Sequence, residues 1–424
     1  MARLEIASIK DDPRSVGRPL MRDHNLSARI WATVAVAVVP FASGTTTGWW
    51  LPLHLALVGA ASQAIVGGQL MFSVTLGLSR GPRRWVTLTQ LAFMNVGAAL
   101  VVGGRLWGSR ITLAAGATFF VIGVGWALWQ VDRLWRRSVN RRFAITGTFY
   151  RLAGWSILIG ASIGAALGIG AFDDGLSYVS HRNIHMTINV LGWAGMTIVG
   201  TAITLLPTIL HVRAGTLGWI KAVPWLMFGG LLAFATTASL RAPEAAGVGL
   251  LAYVIGLAVF GGYVRRILVV PRRRCIPTAA LHLVMALAWL VVTSVAVTIA
   301  LALEDDGAVR DVLVTGGAAG TIFQALLGAW SFLLPSLRAP IPDRRRRELV
   351  AMELGGRTQV GALNAGLILT LIGSLTAWDV LLIGIWLAWL AAASALTKSW
   401  TFPLLAKLQI VRSRSDRWWA VPEG

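Results

Sequence analysis

Apolar stretches of roughly 17 to 28 residues alternate with short charged segments along almost the whole chain. Each stretch is long enough to cross a hydrocarbon core of about 30 Å as a helix. The pattern predicts twelve spans, near 28–44, 50–77, 86–104, 110–130, 150–171, 183–210, 218–239, 246–264, 277–303, 312–335, 359–377 and 380–397. The fold class expected is therefore an all-α polytopic membrane protein. A single membrane domain over 28–398 lies between a basic tail at 1–27 and another at 399–424. No segment is long and polar enough to fold outside a bilayer, and the first 26 residues lack the short apolar region and small-residue cleavage site of a signal peptide.

Composition agrees with this pattern, since 56% of the 424 residues are hydrophobic and only 13% are charged. The net charge of +20 would suit a nucleic-acid partner, but its distribution gives another reading. With the N-terminus placed in the cytoplasm, 33 of the 38 Lys and Arg residues fall in inside segments. Only Arg105, Arg110, Arg182, Arg241 and Arg310 fall outside, together with Asp173, Asp174, Glu244, Glu304, Asp305, Asp306, Asp311 and Asp379. Lys and Arg excess in short loops sets orientation, and here it alternates without a break. Both ends are expected in the cytoplasm of a cell that carries the protein in its plasma membrane. Anionic headgroups are the expected partner of the basic loops, with no nucleic acid. The lone cysteine, Cys275, beside Arg272, Arg273 and Arg274, offers neither a disulfide nor a thiolate metal cluster.

A repeat underlies the twelve spans. Gly59-x3-Gln63-x3-Gly67, Gly192-x3-Met196-x3-Gly200 and Gly320-x3-Gln324-x3-Gly328 fall in the second, sixth and tenth. Four spans separate successive copies, and an even number preserves orientation. This predicts three parallel four-helix units, about 28–130, 150–264 and 277–397, around a pseudo-threefold axis, unlike inverted-repeat transporters. Glycines at this spacing favour close helix packing. Positions i, i+4 and i+8 share a helix face, so each pair flanks a middle residue, and Gln63, Met196 and Gln324 are expected to form a mid-membrane layer.

No soluble-enzyme motif is present, and ionisable residues inside the spans are few. That directs attention to histidine. His24 and His211 are placed at the cytoplasmic edge. His54 and His185 are expected at matching depth near the outer ends of the second and sixth spans, as candidate haem or copper ligands. His181 lies one turn before His185, the i, i+4 spacing of a shared metal, or else in the outer loop. His282, stacked with Met285 and Trp289 in the ninth span, reads equally as a packed core histidine or a ligand.

Three four-helix units with histidines in the second and sixth spans resemble subunit I of the haem–copper oxidase superfamily. The stretches LPLHLALVGAASQAIVGG (51–68) and HRNIHMTINVLGWAGMTIVGTAITLLPTIL (181–210) are more closely similar to the NnrS family of haem- and copper-containing membrane proteins, linked to nitric oxide stress. They are similar too to the membrane region preceding cupredoxin domains in actinobacterial copper oxidases. The resemblance implies that His54 answers to a second-helix haem ligand and His185 to a sixth-helix copper ligand. The family's remaining ligands are missing, because neither the seventh nor the tenth span holds a histidine. Oxygen reduction by this chain is therefore not expected. The resemblance implies a haem- or copper-binding role in the respiratory chain or nitrogen-oxide metabolism, beside a copper oxidase or respiratory subunit. A transporter or channel is the alternative, against which no intramembrane carboxylate is obvious. A non-catalytic assembly or sensor subunit is another.

Overall fold

The structure is a computed structural model that describes residues 13–44, 47–172, 174–213, 215, 218–240, 242–269, 276–339, 341–408 and 411. Cys275, Asp173 and Arg241 lie outside the described residues. Among those described, twelve helices are long and apolar enough to cross a membrane: Pro19–Ala42, Trp50–Gly77, Arg84–Leu106, Arg110–Arg136, Arg141–Ile169, Gly175–Leu210, Gly218–Ser239, Ala245–Leu268, Thr278–Ala302, Asp306–Arg338, Pro342–Leu375 and Trp378–Leu405. The chain is an all-α polytopic membrane protein. The first and twelfth spans place their outer ends on one face, called the N-terminal face below. Several spans exceed the apolar runs that predict them. The first helix starts at Pro13, because Asp23 and His24 continue its helical turns despite their polarity. The eleventh begins with a charged helix, Pro342–Glu353, ahead of its apolar run.

Packing follows the three units. The third and fourth spans of each unit form a tight antiparallel hairpin, and neighbouring units join through spans four and five, eight and nine, and twelve and one. The ring is closed by Arg29, whose guanidinium donates to the Ser399 carbonyl (2.9 Å) and lies 4.0 Å over the Trp400 ring, and by Trp389 Nε1 donating to Val36 O (2.8 Å). Glycine permits the close approach in each hairpin. A Cβ on Gly97, Gly249 or Gly384 would strike the backbone of Phe120, Phe234 or Thr370.

The second, sixth and tenth spans form the centre. Their apolar windows are 72, 89 and 61% buried, against 50% or less in the other nine, as expected of helices surrounded by protein instead of lipid. Each contains π-helical turns, at Leu55–Ala61, Ile188–Gly195 and Leu313–Phe323. Such turns disturb the regular bonding ladder, and in lipid every carbonyl needs a partner. Within each, a hydroxyl donates to one carbonyl: Ser62 to Leu57 O (2.9 Å), Tyr253 to Leu191 O (2.8 Å) and Thr321 to Gly316 O (2.9 Å).

The alternation of spans predicts chemical access. Cysteines at Asp174 and Glu304, both exposed on the face opposite the N-terminal one, should react with an impermeant thiol reagent in intact cells, and one at Val139 should not. The reverse pattern would invert the orientation that the Lys and Arg distribution implies.

Candidate functional site

The repeat extends from glycines to the helix that covers them. In the first unit Trp31 lies over Gly59 and His24 over Gly67; in the third, Trp289 lies over Gly320 and His282 over Gly328. Ser156 and Phe149 occupy the corresponding places over Gly192 and Gly200. Each cover pair is seven residues apart, two helical turns. Two units share a further feature. Trp31 Nε1 donates to Asn95 Oδ1 (2.8 Å), whose amide donates to Leu91 O; Trp289 Nε1 donates to Asn364 Oδ1 (2.7 Å), whose amide donates to Val360 O.

This geometry places the mid-membrane residues. Gln63, Met196 and Gln324 are completely buried. Because the flanking glycines are covered by the first helix of the same unit, this face turns toward that helix and away from the axis. The axis itself holds a cavity of about 90 Å³ toward the N-terminal face, mostly apolar, with Asn25, Gln69, Thr197 and Thr201 at its wall. Gln69 donates to Thr197 (2.9 Å) and ties the second span to the sixth. Gln63 neighbours His24, yet neither its amide atoms nor the ring nitrogens of His24 form a good hydrogen bond, and the Gln324 amide is equally unpartnered. His24 is thus a buried residue over Gly67 and not an interfacial one. An unpaired buried amide costs about 1–3 kcal/mol. Gln63→Leu and Gln324→Leu should accordingly be neutral or stabilise by up to about 1–3 kcal/mol; a clear loss in thermal or denaturant unfolding would show that each amide is bonded.

His54 and His185 both lie toward the opposite end of their spans. The His54 ring stacks on Trp50 at 3.8 Å, and its Nδ1 donates to Trp50 O (2.9 Å). Arg105 stands 5.8 Å from the Trp50 ring. His185 lies over Gly164, where a side chain would displace the imidazole, and its Nδ1 is 2.7 Å from Gly160 O. The Asn189 amide is 3.1 Å from the same Nδ1 but donates to His185 O at 2.8 Å. A carbonyl only accepts, so the short contact puts the proton on Nδ1 and leaves the lone pair on Nε2, as it does for His54. The two imidazoles lie within electrostatic range of each other although 131 residues separate them. They belong to different units. His181 stacks on Phe172 at 3.8 Å, with Nδ1 donating to Ser177 O (2.8 Å).

The donor set decides which groups fit. Among the described residues no cluster of three or more His, Cys, Asp or Glu side chains is poised for a metal. Two Nε2 atoms, each backed by a carbonyl-bound Nδ1, would suit one copper ion or a haem iron. A three-histidine copper centre or a haem held between the second and tenth spans does not fit.

A half-buried carboxylate lies at the start of the ninth span. Glu353 accepts from the Thr278 backbone N–H (2.9 Å) and hydroxyl (2.6 Å), capping the ninth span. Lys398 lies in its electrostatic range and donates to Gln359 Oε1 (2.5 Å) and Met352 O (3.2 Å). The charged run 342–353 hides this carboxylate in the sequence, where it reads as loop. The His-x6-Trp spacing at 24/31 and 282/289 was a legible signal, masked because the second unit replaces it with Phe149 and Ser156.

No protein-family model matches the chain, and no curated protein is significantly similar to it. The class of the protein is therefore defined by the fold alone: a twelve-span helical membrane protein with three related units.

Proposed function

We propose that this protein binds copper or haem at the far face of the membrane through His54 and His185, as a relative of the haem–copper oxidase subunit I and NnrS proteins. Its role is in respiratory or nitrogen-oxide metabolism, beside a separate oxidase or respiratory subunit. One observation supports this above others. Two imidazoles from different repeat units lie within electrostatic range of each other, each with Nδ1 bonded to a backbone carbonyl and Nε2 free of that bond. Ligand histidines are usually oriented by such a second hydrogen bond. The group would supply electron transfer or binding of a nitrogen oxide, while the chain contributes orientation through Trp50 O and Gly160 O and a glycine cradle at Gly164. The absorption spectrum of detergent-purified protein tests the reading: a Soret band marks haem, and stoichiometric copper without that band marks copper.

Transport is a second reading, for which Glu353 and Lys398, within electrostatic range of each other where Glu353 caps the ninth span, would be the ion-handling pair. Glu353→Gln separates the two. Loss of an ion flux in proteoliposomes with cofactor content intact would favour transport.

A further inference from the structure

A groove of about 550 Å³ opens toward lipid between the first and third spans. We propose that it holds one anionic glycerophospholipid, with an acyl chain in the groove and the phosphate at Arg84. Leu26, Ile30, Leu88 and Leu91 give the groove its apolar walls, and Ser27 and Asn95 bond to each other at 2.7 Å on its floor. Leu26, Ile30 and Leu88 are 47, 51 and 39% exposed, so the walls are open to an occupant.

The mouth lies at the N-terminal face, where Arg80, Arg83 and Arg84 crowd the loop between the second and third spans and all are exposed. Arg84 reaches Asp23 at 3.4 Å. Arg22 shares the same carboxylate at 3.3 Å, so the local balance stays positive, and basic pockets between membrane helices recruit anionic headgroups. The related interface in the third unit is built differently. There, eleven residues before Asn364 as Arg84 is before Asn95, Glu353 is tied to Thr278, and Gly356 lets the eleventh span sit directly on that residue. A cation at the mouth of an open groove thus replaces an anion that caps a closed contact.

The test uses the full chain in detergent. At equal mole fraction, phosphatidylglycerol should raise the unfolding midpoint more than phosphatidylcholine, and native mass spectrometry should retain one phosphatidylglycerol per chain. Leu91→Trp, which fills the groove, should lose at least half of the difference between the two lipids. Leu251→Trp, at a lipid-facing position elsewhere, should keep it. Arg84→Gln should lose the retained lipid, a readout that stands if Leu91→Trp does not fold. Equal midpoints in both lipids, or retention of one phosphatidylglycerol by Arg84→Gln, would overturn the site and leave only a general anionic annulus.

Discussion

Replacing either His54 or His185 with alanine is expected to lower bound copper or haem at least tenfold, whereas His181→Ala and His211→Ala should leave it unchanged. The size of the effect follows from the donor set. If the two imidazoles are the protein ligands, each variant removes half of them. The surviving ring would keep its carbonyl bond, at Trp50 O or Gly160 O, so the loss would reflect ligation and not collapse of the helix. Half-buried rings over Trp50 and Gly164 contribute modestly to packing, and both variants should therefore accumulate in the membrane. Binding can be read by metal analysis and by the pyridine haemochrome spectrum. Asn189→Leu gives a graded companion. Its amide packs beside His185 without supplying a ligand, so weaker binding short of abolition is expected, because orienting partners typically contribute about 10–100-fold in affinity.

The second large effect concerns two adjacent glycines. Gly67→Ala should destabilise the protein by about 1–3 kcal/mol, the usual cost of overpacking a well-packed interface. Its new methyl would collide with His24, at the joint between the first and second spans. Gly68→Ala, one residue on, meets no heavy atom within 4 Å. It should be neutral or stabilise by up to about 1 kcal/mol through helix propensity. The same contrast holds in the third unit between Gly328, pressed on His282 and the Ala279 carbonyl, and Gly361, which faces open space. Thermal unfolding of the four variants in detergent tests the packing register directly. Equal behaviour of Gly67→Ala and Gly68→Ala would mean that the first span does not seat on the 59/63/67 face.

These two predictions differ in how far the sequence could have led to them. The glycine register was legible because the three copies recur at constant spacing, and hydrophobic run lengths are a direct record of bilayer thickness. What could not be read was the direction in which the glycine face points. A motif shared by three central helices suggests a common axis, yet Trp31, Ser156 and Trp289 cover it from within each unit. Periodicity reports which residues share a face, not which neighbour that face meets. His24 shows another limit. Hydropathy places it at a membrane edge beside Asp23, but the helix begins at Pro13 and carries the imidazole over Gly67.

Some of the candidate site was visible and some not. His54 and His185 could be singled out as the histidines at corresponding depths, while the π-helical turns that follow each of them could not. Those turns have no sequence signature beyond the small residues within them. The carbonyls that hold each Nδ1 come from Trp50 and Gly160, backbone groups that side-chain patterns do not reveal. His181, at i, i+4 from His185, stacks on Phe172, a neighbour that the spacing alone does not reveal.

The central claim is that His54 and His185 jointly hold a metal or haem, and one comparison addresses it most directly. Wild type and the His54→Ala/His185→Ala double variant are purified side by side from cells supplied with both haem precursor and copper, and each is assayed for haem and copper per chain. The account predicts close to one equivalent of haem or copper on wild type and almost none on the double variant, with both proteins folded. Absence of both groups from wild type, or equal content in the two proteins, would contradict it.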